Sequence, residues 1–209
     1  MKLIWLKLLK LNLLRPRTFP ELYIVINRYF LLNRYNNMNT SKWFDRQFDF
    51  NQSNDQYAVV YKRLQHSIDK LQQIVPGLSN DVLIYKPQGK WSIKEHTGHL
   101  SVLEPLWRER VIQIQQGKPV LTPADLENKA TFEAGFNDWH IIILLEKFTV
   151  ERNQTLLLLN SVNDEDKIKT SLHPRLNQPM RIIDLAYFVA EHDEHHLKFI
   201  REISGLFNK

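Results

Sequence analysis

Cysteine is absent from the 209 residues. Its absence excludes disulfides, thiolate metal sites and a cysteine nucleophile, and it fits a reducing compartment, here expected to be the cytoplasm. Long apolar runs are missing as well. The first 37 residues are apolar but are interrupted by Lys7, Lys10 and Asn12. No run there reaches the roughly 18 residues of a membrane helix, or the roughly 7–15 of a signal-peptide core. A surplus of one charge sign is missing from most of the chain. The formal net charge is +5, yet residues 1–37 hold seven basic side chains and one acidic, leaving 21 basic and 22 acidic for residues 38–209. That larger part is near neutral, so no nucleic-acid surface is implied.

Composition changes abruptly at Met38-Asn39-Thr40-Ser41-Lys42-Trp43-Phe44-Asp45-Arg46. The expectation is a leader, 1–37, outside the fold and translated from a wrongly assigned start, followed by one domain, 38–209. A basic membrane-surface helix and a mitochondrial-type presequence are the alternatives for the leader. Within the domain, residues 42–50, with Trp43, Phe44, Phe48 and Phe50, read as an aromatic arm packed on the outside.

Four helical patterns follow. The first spans about 54–75, capped by Ser53 or Asn54 and ended by Pro76-Gly77. The second begins at Ser92, which forms a capping box with Glu95, and stops at Gly117. The third covers about 137–162 with Asn137 as its cap. The last covers about 181–204 and ends at Gly205. No strand pattern and no repeat is evident. The expected fold is all-α, a four-helix bundle with long connections at 117–136 and 163–180. The first of these loops is long enough to cover a site.

Chemistry concentrates in Glu191-His192-Asp193-Glu194-His195-His196. Leu185, Val189, His192, His196, Phe199 and Ile203 follow at steps of four and three, the inward seam of a bundled helix. Two seam positions are histidines. Burying two imidazoles costs free energy unless their nitrogens are satisfied. His-x-x-x-His also offers two ligands on one helix face to a single ion. His195 lies about 100° around the helix from His196, at the seam's edge. The second helix offers His96, near the centre of its apolar stripe, and His99 at the edge.

Gly89-Lys90-Trp91-Ser92-Ile93-Lys94-Glu95-His96-Thr97-Gly98-His99-Leu100 and Phe188-Val189-Ala190-Glu191-His192-Asp193-Glu194-His195-His196-Leu197 together resemble the DinB-like, damage-inducible, metal-binding four-helix proteins. The resemblance extends over about 42–205. It implies His99, His192 and His196 as ligands of one metal between helices 2 and 4, and so overrides the stripe's preference for His96. Three imidazoles leave open coordination positions, and zinc is the default, with nickel or manganese compatible by ligand type.

Such an ion could activate water for hydrolysis or a low-molecular-weight thiol for transfer to an electrophile. The resemblance extends to bacillithiol S-transferases, a thiol-dependent isomerase and metal-dependent hydrolases. Thiol transfer is the main expectation; hydrolysis, or a stress-induced metal-binding bundle without catalysis, is the alternative. Expected partners are a small thiol or electrophile, with a second copy of the chain as a further candidate and no membrane for the domain. His195, His173 and Asp193 are the catalytic candidates. Asp193 or Glu191 could orient a ligand imidazole, Arg152 is expected in a salt bridge, and Trp91 and Trp107 are expected in packing.

Overall fold

The computed structural model describes residues 43–207. The expected leader and the start at Met38 lie outside the described residues. Four long helices dominate: α1, Tyr57–Ile74; α2, Ile93–Gln115; α3, Ile141–Asn160; and α4, Ile182–Phe207. No described helix is long and apolar enough to cross a membrane.

On α1, Val60, Leu64, Ser67 and Leu71 are buried at helical spacing, and Gly77 takes a positive φ of 84° just beyond the end. The capping box of α2 is formed: Ser92 Oγ accepts from the Glu95 amide, and the Glu95 carboxylate accepts from the Ser92 amide. Each bond satisfies an amide that the helix itself leaves unpaired.

Three local expectations need correcting. Helix α3 starts at Ile141 with His140, not Asn137, as its cap. Asn137 instead sits in a 3-10 turn, Phe136–Asp138, where its side chain accepts from Ser92 Oγ and its carbonyl from Lys94 Nζ. Helix α4 runs through Gly205 to Phe207, because nothing turns that glycine left-handed and Phe207 packs edge-on to Tyr85 at 5.3 Å. The 163–180 connection contains a hairpin, β1, Ser171–His173, antiparallel to β2, Gln178–Met180. Three-residue strands containing Pro179 are too short to show alternation. Leu172 also exchanges backbone hydrogen bonds with the 117–136 loop: its amide donates to Pro119 and its carbonyl accepts from Leu121. The two long connections are thereby laced together.

Helix α1 packs against α3 and α4, and α2 packs against the same two helices. Helices α1 and α2 therefore face each other across the bundle diagonal, as do α3 and α4. The chain must cross the bundle end twice, which accounts for the long segments before α2 and before α4. The aromatic arm is not merely external. Phe48 joins the core and Trp43 packs on Phe188 at 5.2 Å, while Phe44 stays exposed.

The core divides into two apolar clusters. One holds Val111, Leu159 and Leu185; the other holds Leu71, Leu100, Phe148 and Leu197. Between them lies a charged layer. Arg152, fully buried, donates to Glu104 on α2 and Asp193 on α4, and also to the Leu64 carbonyl on α1. Thr155 Oγ1 donates a further bond to Glu104. Every helix thus contributes a group to one hydrogen-bonded layer. His192 adjoins this layer on α4, as the residue before Asp193.

Candidate metal centre

His192 and His196 stand one turn apart on α4, and His99 faces them from α2. Their Nε2 atoms converge: His99 to His192 is 3.4 Å and His192 to His196 is 3.1 Å. All three side chains are buried. They form a group that could hold a metal ion, with ligand atoms all within 4.8 Å of one another. Two zinc–nitrogen bonds of about 2.0–2.1 Å at a tetrahedral angle place their nitrogens about 3.3–3.4 Å apart. The observed separations fit. A proton on one Nε2 can bridge a single pair of these nitrogens, whereas a cation satisfies all three lone pairs together.

The remaining ring nitrogens fix the orientation. His99 Nδ1 lies 2.9 Å from Thr131 Oγ1, so that Nδ1–H can donate to the hydroxyl and leave the Nε2 lone pair inward. His196 Nδ1 lies 2.8 Å from Nδ1 of His96, which can accept from it in the same sense. His96 is therefore one step back from the cluster, as the resemblance implied and the apolar stripe did not. His192 Nδ1 is buried with no hydrogen-bond partner. Its ring stands edge-on to Trp43, centroids 5.1 Å apart, and near Trp107 at 5.9 Å.

Burial keeps these imidazoles neutral, the state a ligand requires. It is the largest cause in each case, followed by neighbouring histidines: His99 falls to about 4 and His96 to about 3, and His192 and His196 fall well below the ordinary value.

Trp91 forms one wall. Its indole stacks on His196 at 5.8 Å and leans on His99 at 4.6 Å. The loop before α3 forms another. Ile93–Ser101 are buried on every side because Thr131 and Phe136 cover the outer face of α2. Gly98 permits this: a Cβ there would meet the Phe136 ring at 2.4 Å.

The three catalytic candidates fare differently. His195 lies beside the cluster, its ring 5.4 Å from His196 and from Trp43, and half-buried. Burial, then Arg46 and Lys198, lower it to about 4. Asp193 does not orient a ligand, because Arg152 takes both of its oxygens. Glu191 is likewise engaged, by Arg46 and Arg63. His173 sits in β1 against Arg110 and outside the cluster. Arg152 forms the expected salt bridge.

Thr131 and Trp43 are the site residues that sequence reasoning missed. The length of the 117–136 loop was the available signal for Thr131, and no signal singled out its hydroxyl.

The family model described as the DinB superfamily matches residues 63–200. No curated protein matches. Among solved structures, YfiT from Bacillus subtilis is similar, with a TM-score of 0.67 and 19% identity, covering 77% of this chain and 92% of that one. It is described as a probable metal-dependent hydrolase with an unusual four-helix bundle topology. At that identity the likeness establishes a shared fold.

Proposed function

Because the chain belongs to the DinB superfamily, we propose that it is a metal-dependent enzyme, with hydrolysis as its reaction. His99, His192 and His196 hold a divalent metal, and zinc is the ion best suited to three neutral imidazoles. The observation that carries this proposal is the convergence of three Nε2 atoms from two helices, with His192 Nε2 3.1 Å from that of His196 and 3.4 Å from that of His99. A divalent ion bound there supplies a Lewis acid with coordination positions open to water or substrate.

The chain's own groups set the conditions. Thr131 and His96 hold the rings of His99 and His196 by their second nitrogens. Trp91 and Trp43 restrict solvent around the imidazoles. The Arg152 layer ties α2 to α4, and so fixes the distance between His99 and the α4 pair. We assign proton exchange at the cluster to His195, a role supported by its half-buried ring 5.4 Å from that of His196. The description of YfiT as a probable metal-dependent hydrolase favours hydrolysis over thiol transfer.

Thiol transfer is the second reading. It uses the same centre, and the absence of cysteine is compatible with it, because the thiol would then arrive as a cosubstrate.

Purified full-length protein assayed on a panel of activated esters and amides distinguishes the two. Hydrolysis that a chelator abolishes and a divalent ion restores is expected. Turnover insensitive to chelator, or consumption of a thiol with an electrophile in place of hydrolysis, would overturn the first reading.

A further inference from the structure

A second polar cluster lies outside the three-histidine centre. Arg110 is 1% exposed, yet no carboxylate of the described residues pairs with it. Its Nε and Nη2 donate to the Thr122 carbonyl at 2.9 and 2.8 Å, and Nη1 faces His173 Nε2 at 3.2 Å. Glu109 acts on it electrostatically, but the Glu109 Oε1 accepts from Gln113 and Thr122. Burial lowers the pKa of both Arg110 and His173, and the positive charge of Arg175 lowers them further. Its Nη2 is buried without a partner, and its guanidinium lies over Phe44 at 5.2 Å.

Donors outnumber acceptors here. His173 Nδ1 is approached by the amides of Arg175 and Leu176, at 3.3 and 3.2 Å, and Nε2 by Arg110. A neutral imidazole must carry its own proton on one of those two nitrogens, so one approaching donor goes unmatched. Two guanidinium groups, one orphaned N–H and an over-donated imidazole therefore share one locality. A buried charge without a counter-charge is costly. An oxyanion supplies the missing acceptors and the missing charge together, and arginine's planar fork suits carboxylate and phosphate alike.

The cluster adjoins the metal centre through one aromatic layer. Trp107 is 5.3 Å from the Arg110 guanidinium and 5.9 Å from the His192 ring. Phe188 is 5.3 Å from His173 and 5.2 Å from Trp43, which itself contacts His192.

We propose that Arg110, Arg175 and His173 form an oxyanion subsite, taking a carboxylate or phosphate group. Resting on the function proposed above, it receives the acidic end of the substrate whose reactive end lies at the three-histidine centre.

The test uses chelator-treated, full-length protein, so that anion binding is read independently of metal. Inorganic phosphate and acetate are titrated calorimetrically against a chloride background of equal ionic strength. Binding of phosphate or acetate is expected, and whichever binds identifies the acidic group. Arg175→Met, at a half-buried position, should weaken binding about ten- to a hundredfold, the effect of losing a charged hydrogen bond. His173→Asn provides a second variant, expected to weaken binding less. No binding of either anion, or equal binding by wild type and Arg175→Met, overturns the subsite. Metal content, measured separately, fails or holds without affecting this result.

Discussion

Thr131 Oγ1 lies 2.9 Å from His99 Nδ1, and this contact joins a covering loop to the imidazole that α2 contributes to the cluster. Both residues are buried. The loop is thus part of the centre, because it sets which nitrogen of His99 faces His192 and His196.

Thr131→Val keeps the shape and removes the acceptor. It should weaken metal binding about ten- to a hundredfold, the range for losing a group that orients a ligand. Competition against a chromogenic chelator measures this. Unchanged affinity would show that His99 is held by packing alone.

Gly98 and Phe136 make a second, steric contact between the loop and α2. Gly98→Ala places a methyl 2.4 Å from the ring. A helical alanine is otherwise favourable, so propensity alone predicts stabilisation. Overpacking should win, lowering stability by about 1–3 kcal/mol. Thermal unfolding of Gly98→Ala, with and without Phe136→Ala, checks it. The double variant should show no further loss from the methyl, and a more stable Gly98→Ala would contradict the fit.

Much of this was legible in the sequence, and the exceptions have physical causes. The α4 pair could be read because two histidines interrupt a seam with a clear helical period. The start of α2 could be read because a capping box is local. Periodicity ranked His96 ahead of His99, the reverse of what the cluster holds, since Ile93–Ser101 are buried all round once the loop is in place and the stripe no longer marks the inward face. Asp193 and Arg152 could not be paired from sequence, because a buried ion pair and two solvated charges look alike in one dimension. The hairpin escaped because three-residue strands carry no period.

The charged layer predicts a large asymmetry. Arg152→Met leaves Glu104 and Asp193 buried without their counter-charge. It should cost about 3–5 kcal/mol, as breaking a buried pair from one side does. Adding Glu104→Gln and Asp193→Asn should recover part of that loss. Denaturant unfolding measures both variants. A loss under about 1 kcal/mol for Arg152→Met would mean that the layer is hydrated and exchangeable, unlike a closed salt bridge.

The central claim is that His99, His192 and His196 together hold one ion, and elemental analysis of purified wild type, His99→Ala, His192→Ala, His196→Ala and His96→Ala tests it most directly. Wild type should carry about one divalent ion per chain, as one three-histidine site allows. The first three variants should lose most of it while remaining helical by circular dichroism, and His96→Ala should retain more than His99→Ala. Metal content equal to wild type in His99→Ala, His192→Ala and His196→Ala, or greater loss in His96→Ala than in His99→Ala, would contradict the account.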